Sequence, residues 1–367
     1  MKKIRQLNLK GHLLTAISYL IPIVCGAGFL IAIGMAFGGD PGLDLIASEH
    51  TLWDTMAVMG AAGLGLLPVI ISTGIAYSIA DKPGIAPGFI VGLTANAVGA
   101  GFIGGILGGF ISGYLAISLI KYLKVPSWAK GLMPMLIVPL LASFFGGLIM
   151  VYVIGAPIMG LTGLLTDLLN GLGSTSRVLF GGIIGLLSGI DYGGPINKTV
   201  FAFVLTLQAE GVNGPITALQ LVNTATPIGF GLAYFIAKFF NKRIYSQVEV
   251  ETLKSAVPMG FINIVEGVIP LVLNDLARGI FATAVGGAIG GAVSLTLGAD
   301  ATVPFGGVLM IPTMSRPWAG VLALLANILA TGLTLALIKK HVSVEDEALK
   351  VNDTEEDDLD MEEIQII

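Results

Sequence analysis

Seven stretches of the chain, residues 13–39, 55–80, 83–120, 131–166, 211–237, 279–299 and 317–338, contain no Asp, Glu, Lys, Arg or His. A bilayer core of about 30 Å needs about 20 apolar residues per helix, so each run supplies one span and 83–120 holds two short or broken ones. Only 12% of the 367 residues are charged, against about 25% in a soluble domain, which excludes a water-soluble globule. The 51 glycines follow no Gly-X-Y period and fit a Gly-rich, helix-based membrane protein. Run 13–39 is longer than a signal-peptide core and more spans follow it, so it is read as a retained first helix.

Lysine and arginine set the expected orientation. Lys2, Lys3, Arg5 and Lys10 precede the first run, whereas the next loop carries Asp40, Asp44, Glu49 and Asp54 with no basic residue. The N-terminus is therefore expected in the cytoplasm. Later basic groups, at Lys82, Lys121, Lys124, Lys130, Lys238, Lys242, Arg243, Lys254, Lys339 and Lys340, fall on the same side if the chain crosses about ten times. Residues 343–367 hold eleven of the 24 acidic residues and one of the 19 basic ones. They read as an acidic, disordered cytoplasmic tail on a membrane-embedded unit at 1–342.

Other chemistries find little support. Cys25 is the single cysteine and the three histidines are scattered, so neither a disulfide framework nor a metal site is expected. Cys25 lies in the first run and reads as a small core residue. Gly99, Gly101 and Gly104 match GxGxxG, but inside an apolar run and without an acidic residue about 20 positions on, so no dinucleotide site is expected. Gly101, Gly105, Gly109 and Gly113 instead form one bare helical stripe that lets a neighbouring backbone approach. The basic residues are spread in short clusters, which gives no support to nucleic-acid binding.

Ionisable groups at membrane depth cost about 2.5–3.5 kcal/mol each on insertion scales and usually face a partner or a cavity. One cluster is Gly189-Ile190-Asp191-Tyr192-Gly193-Gly194-Pro195-Ile196-Asn197-Lys198. Its glycines and proline break a helix, and Asp191 and Lys198 are placed to neutralise each other. A second runs over 257–270, with Pro258, Gly260, Asn263, Glu266, Gly267 and Pro270, followed by Asn274, Asp275 and Arg278. Two prolines and two glycines in those 14 residues favour a re-entrant hairpin with Glu266 near its tip. Val303-Pro304-Phe305-Gly306-Gly307 is a third broken element. Asn96, Asn223 and Asn327 are read as helix-to-helix hydrogen-bonding residues. Carboxylates and amides together suit a neutral polyol, whose hydroxyls donate to the one and accept from the other, although proton or sodium binding would use the same carboxylates.

Asp191-Tyr192-Gly193-Gly194-Pro195-Ile196-Asn197-Lys198, with Glu266-Gly267-Val268-Ile269-Pro270, resembles enzyme IIC of the fructose-type bacterial phosphotransferase system. Further similarity lies in residues 76–84, 99–114 and 139–157, so that the likeness extends over most of 11–340. The resemblance implies an all-α polytopic membrane protein of the glucose-superfamily fold, with about ten embedded segments including re-entrant hairpins. It further implies a homodimer in the bacterial inner membrane, multi-pass, with both termini cytoplasmic. Residues of about 11–170 would form the scaffold and 175–340 the transport part. The sugar would be phosphorylated by a phosphocysteine on a separate enzyme IIB, recharged by enzyme IIA, with no cofactor. Carried onto this chain, Glu266 is the hydroxyl acceptor and general base. Asp191, Asn197 and Asn263 are sugar-binding residues, and Lys198 or Arg278 offsets the phosphoryl charge. Two departures stand beside this: Phe305 occupies the histidine of a Pro-His-Gly-Gly element, and Asp275-Leu276 replaces Asp-Pro. They leave a fructose-like ketose, a hexitol or a mannosyl-glycerate type of sugar open. An ion-coupled transporter and a membrane sugar sensor are the competing functions.

Overall fold

Apolar runs broken by Gly, Pro and short charged loops should give helices of unequal length, and they do. The computed structural model describes residues 8–342 except 47 and 172; the acidic segment 343–367 and the basic residues before Asn8 lie outside the described residues. The helices are α1 (Leu9–Ala36), α2 (Leu52–Gly65), α3 (Leu67–Ala80), α4 (Lys82–Ala97), α5 (Gly101–Tyr122), α6 (Val138–Ile149) and α7 (Gly155–Asn170). They continue with α8 (Ser174–Gly189), α9 (Pro195–Ala209), α10 (Gly214–Phe239), α11 (Gln247–Phe261), α12 (Ile269–Leu273), α13 (Leu276–Leu297) and α14 (Pro317–Ile338). Among the described residues the only strand-like pairing is an isolated bridge between Ala301 and Met314.

Among the described residues six helical stretches are long and apolar enough to cross a bilayer: α1, α5, Ser127–Leu161, α10, α13 and α14. The pair α2 and α3, bent by 47°, makes a seventh. Run 83–120 divides into α4 and α5. The 16 residues of α4, like the 16 of α8 and the 15 each of α9 and α11, fall short of the length a straight span needs.

Two packing groups emerge. In one, α3 lies against α4 and α5, with α6 behind them; in the other, α13 lies against α8 and α14, and α10 against α14, α13 and α11. Helix α1 touches α2, α3 and α9 and so joins the groups.

Small residues set both interfaces. A β-carbon on Gly105 would collide with the carbonyl of Pro68, and one on Gly109 with the backbone of Ser72, so the bare stripe of α5 is where α3 seats. Between α8 and α13 the approach is closer still. A β-carbon on Gly185 would strike the carbonyl of Gly287, and one on Gly181 that of Gly291. Such contact is the packing small residues permit where lipid offers no hydrophobic drive. Gly185→Leu is therefore expected to destabilise the fold by at least ~1–3 kcal/mol through overpacking. A lowered melting temperature and loss of the monodisperse peak in detergent would check it. Gly160→Leu, at a position with no atom within 4 Å of its β-carbon, should leave both unchanged.

One buried ion pair ties helix ends together. Lys339 Nζ donates to Glu249 Oε1 at 2.7 Å, with both side chains at most 6% exposed. Glu249 Oε2 also accepts from Ser246 N, closing the box that starts α11.

Candidate functional site

Both charged clusters fall at helix breaks. Between α8 and α9 the chain turns through Tyr192 at φ 49° and Gly193 at φ 85°, the latter a left-handed conformation that glycine takes without steric cost. Tyr192 is held there by its hydroxyl, 2.8 Å from Thr283 Oγ1. That threonine's own proton goes to the carbonyl of Gly189 at 2.6 Å. Between α11 and α12, Asn263 is left-handed at φ 64°, and Glu266 opens the short turn Glu266–Val268.

These breaks meet across a cavity of about 230 Å³ lined by Asn197, Lys198, Asn223, Asn263, Glu266 and Phe305, among others. That is smaller than the ~300–1,000 Å³ pockets of drug-sized ligands. Glu266 lies directly over Gly193, where any β-carbon would meet its Oε1. Neither the Glu266 carboxylate nor the Lys198 ammonium has a hydrogen-bond or ion-pair partner among the described residues.

The amides are partly spent on holding the site together. Asn197 Nδ2 donates to Asn223 Oδ1 at 2.9 Å and to Ser188 O and Oγ at 3.1 Å. Ser188 Oγ in turn donates to Asn223 Oδ1 at 2.8 Å. Thr224 donates to Asn263 Oδ1 at 3.0 Å, Asn263 Nδ2 to Gln220, and Gln220 Nε2 to the Pro304 carbonyl. The result is two buried clusters, Asn197–Ser188–Asn223 and Thr224–Asn263–Gln220, and in the first Asn197 Oδ1 and Asn223 Nδ2 keep no partner among the described residues. A cavity so lined presents an anionic acceptor, a cationic donor, a neutral acceptor and a neutral donor. Unmet hydroxyls in such a place cost about 1–3 kcal/mol each, which is what makes the lining selective for a ligand of matching pattern.

Asp191 is used differently from the expectation. Its carboxylate accepts from Ile196 N at 2.6 Å and Asn197 N at 3.0 Å, satisfying donors in the first turn of α9, so it neither pairs with Lys198 nor lines the cavity. A carboxylate at that helix end is favoured by the orphan N–H groups and the positive end of the dipole. Arg278 also lies outside the lining, its Nη1 3.1 Å from both oxygens of Asp275. Asp191→Ala should cost about 1 kcal/mol as a lost cap, read as a fall in melting temperature. Asp191→Asn, which keeps an acceptor, should recover most of it.

Ile21, Phe201 and Gln220 line the cavity without standing out in the sequence, and Asn223 and Cys25 line it in addition to the roles expected of them. Asn223 does bond between helices, as expected, yet it also faces the cavity. Cys25, read as core, is on its wall. Asn96 and Asn327 stay out of the lining: Asn96 Nδ2 donates to Gly65 O of α2 at 3.2 Å, between helices as expected, whereas Asn327 Oδ1 accepts from Thr331 at 2.9 Å within α14 instead of from another helix. Phe305 stands edge-on to Phe29 at 5.7 Å between centroids and gives the cavity an aromatic wall.

No protein-family model matches the chain. The fructose-specific EIIC component of the phosphotransferase system from Haloferax volcanii is 33% identical over 354 residues, covering 91% of this chain and 93% of that relative. The chain belongs to the fructose-type enzyme IIC family. Fructose-like permease IIC component 2 of Escherichia coli is 31% identical over 97% of this IIC chain and 96% of its own length. The fructose-specific EIIB'BC component of E. coli is 38% identical over 90% of this chain, which spans only 58% of that longer relative. Among solved structures, the IIC component of the N,N'-diacetylchitobiose-specific system superposes with TM-score 0.58 at 15% identity, over 91% of this chain and 93% of that one, and shares the fold. This IIC chain is a multi-pass membrane permease of a sugar phosphotransferase system.

Proposed function

We propose that the chain binds fructose or a fructose-like sugar in the cavity under Glu266 and carries it inward for phosphorylation by a separate enzyme IIB, itself recharged by enzyme IIA. The observation that carries this is the set of unspent polar groups in one small cavity: the Glu266 carboxylate, the Lys198 ammonium, Asn197 Oδ1 and Asn223 Nδ2. Fused EIIB'BC and EIIABC relatives support the partners.

In the proposed mechanism a sugar hydroxyl attacks phosphorus of the IIB phosphocysteine. The O–P bond forms, the S–P bond breaks, and the hydroxyl proton passes to Glu266 as general base. Lys198 offsets the phosphoryl charge, since such transfers depend mainly on positioning and electrostatics. Asn197, Asn223 and Asn263 hold the remaining hydroxyls. Asp191 acts through the start of α9 and Arg278 through its pair with Asp275; both are positioning residues. The phosphorylated product carries about −1.5 to −2 charges by analogy with phosphoserine and cannot return through an apolar path.

The helix pairs α8–α9 and α11–α12 are assigned as re-entrant halves, which brings the embedded segments to about ten and both termini to the cytoplasm. Residues 11–170 then form the scaffold of a homodimer and 175–340 the moving part. Vesicles loaded with phosphorylated IIB and given a panel of labelled sugars should accumulate internal sugar phosphate. Uptake of free sugar that collapses with an ionophore would refute the proposal.

A further inference from the structure

Where α10 and α14 end, the molecule has a second cavity, of about 570 Å³, unconnected with the sugar chemistry. Its lining carries Lys238, Lys242, Arg243 and Lys254 against a single acid, Glu251. Glu251 is occupied by Lys254 at 2.6 Å, and the carboxylate behind the wall, Glu249, by the buried Lys339 at 2.7 Å. With Lys254 paired to Glu251, Lys238 and Lys242 still leave the cavity cationic. Lys242 caps α14, donating to the carbonyls of Ala336 at 2.9 Å and Leu337 at 3.2 Å, which fixes the cavity at the ends of two membrane spans. Lys238 lies over the ring of Tyr234 at 5.9 Å.

A separate observation concerns what adjoins it. Phe235, Phe239, Phe240 and Leu337 are 67%, 81%, 72% and 78% exposed. Phe235 packs edge-on to the cavity residue Tyr234 at 5.4 Å, and Phe239 edge-on to Phe240 at 5.3 Å. A tyrosine such as Tyr234 at the end of a span belongs at the headgroup level, exposed phenylalanines beside it face the acyl chains, and basic pockets between spans at that level suit acidic headgroups. An aqueous anion would use the lysines and ignore the rings. A diacyl lipid uses both.

We propose that this corner is a binding site for an anionic phospholipid, its phosphate in the cavity and its acyl chains along Phe235, Phe239 and Leu337. Lys238 is the direct phosphate partner together with Lys254, whose ammonium keeps two further N–H donors beside its bond to Glu251; Tyr234 and Asn241 supply neutral donors from the same wall.

The test uses the full-length protein in detergent, titrated with phosphatidylglycerol, phosphatidylcholine or inorganic phosphate, with bound lipid counted by native mass spectrometry. Phosphatidylglycerol is expected to bind with a preference over phosphatidylcholine. In Lys238→Gln/Lys254→Gln its affinity should fall about 30-fold, which is about 2 kcal/mol at 1.4 kcal/mol per tenfold, while phosphatidylcholine binding stays as it was. Both side chains are exposed, so the variant is expected to fold, and an unchanged melting temperature without lipid verifies it. Equal binding of the two lipids, an unaltered preference in the variant, or displacement of the lipid by millimolar phosphate alone would overturn the site. So would a preference that appears only when 343–367 are deleted, because the cavity would then belong to the chain's own acidic segment, which follows His341 and Val342 at this wall.

Discussion

Glu266→Gln is expected to insert and purify like the parent chain and to form sugar phosphate about 10²–10⁴-fold more slowly in IIB-loaded vesicles. The substitution is isosteric, and the carboxylate makes no hydrogen bond or ion pair that the fold would miss among the described residues. What it removes is a base and a charged acceptor facing the cavity. The two roles separate in the measurements. A lost acceptor weakens sugar binding, by about 10- to 100-fold for a bond to a charged group; a lost base leaves sugar affinity alone and slows transfer only. Binding measured without IIB, beside vesicle uptake with it, apportions the effect. Parental rates in both assays would remove Glu266 from the site.

The sequence showed where the membrane helices lie because length and the absence of charge are local properties. The runs that become α1, α10, α13 and α14 needed no partner to be recognised. Groups costly in lipid stand out for the same reason, which is how Glu266, Asn197 and Lys198 were found from two clusters far apart in the chain. The start of α9 was also legible, because proline at the first helical position is a helix-start signal, whereas the Asp191 carboxylate that meets its N–H groups lies three residues ahead of the N-cap Gly194. Arg278 with Asp275 at i,i+3 was a local pair of the same kind. Gln220, Asn223, Cys25 and Phe201 were different. They reach the cavity because α1, α9 and α10 converge there, and convergence is a matter of packing between elements. The same holds for the α8–α13 interface: Gly181, Gly185 and Gly189 recur every fourth residue, but no spacing says that Gly287 and Gly291 will face them.

Gly193→Ala should lower sugar-phosphate formation by about 10²-fold, because displacement of a reacting group by ~1 Å can cost that much. Two effects act at once. At φ 85° an L side chain strains the backbone by roughly 1–2 kcal/mol. The new methyl also occupies the space of Glu266 Oε1, so the carboxylate must swing aside or the break must relax. Gly26→Ala, in α1 with no atom within 4 Å of its β-carbon, is the matched control and should transport normally. Glutamine at 266 discharges the acid without moving it, whereas alanine at 193 moves it without discharging it. Loss in both variants requires charge and position together, as a base in contact with a hydroxyl does. Loss in Glu266→Gln alone would mean that the carboxylate acts through its field at longer range, and the direct proton transfer assigned to it would have to be withdrawn.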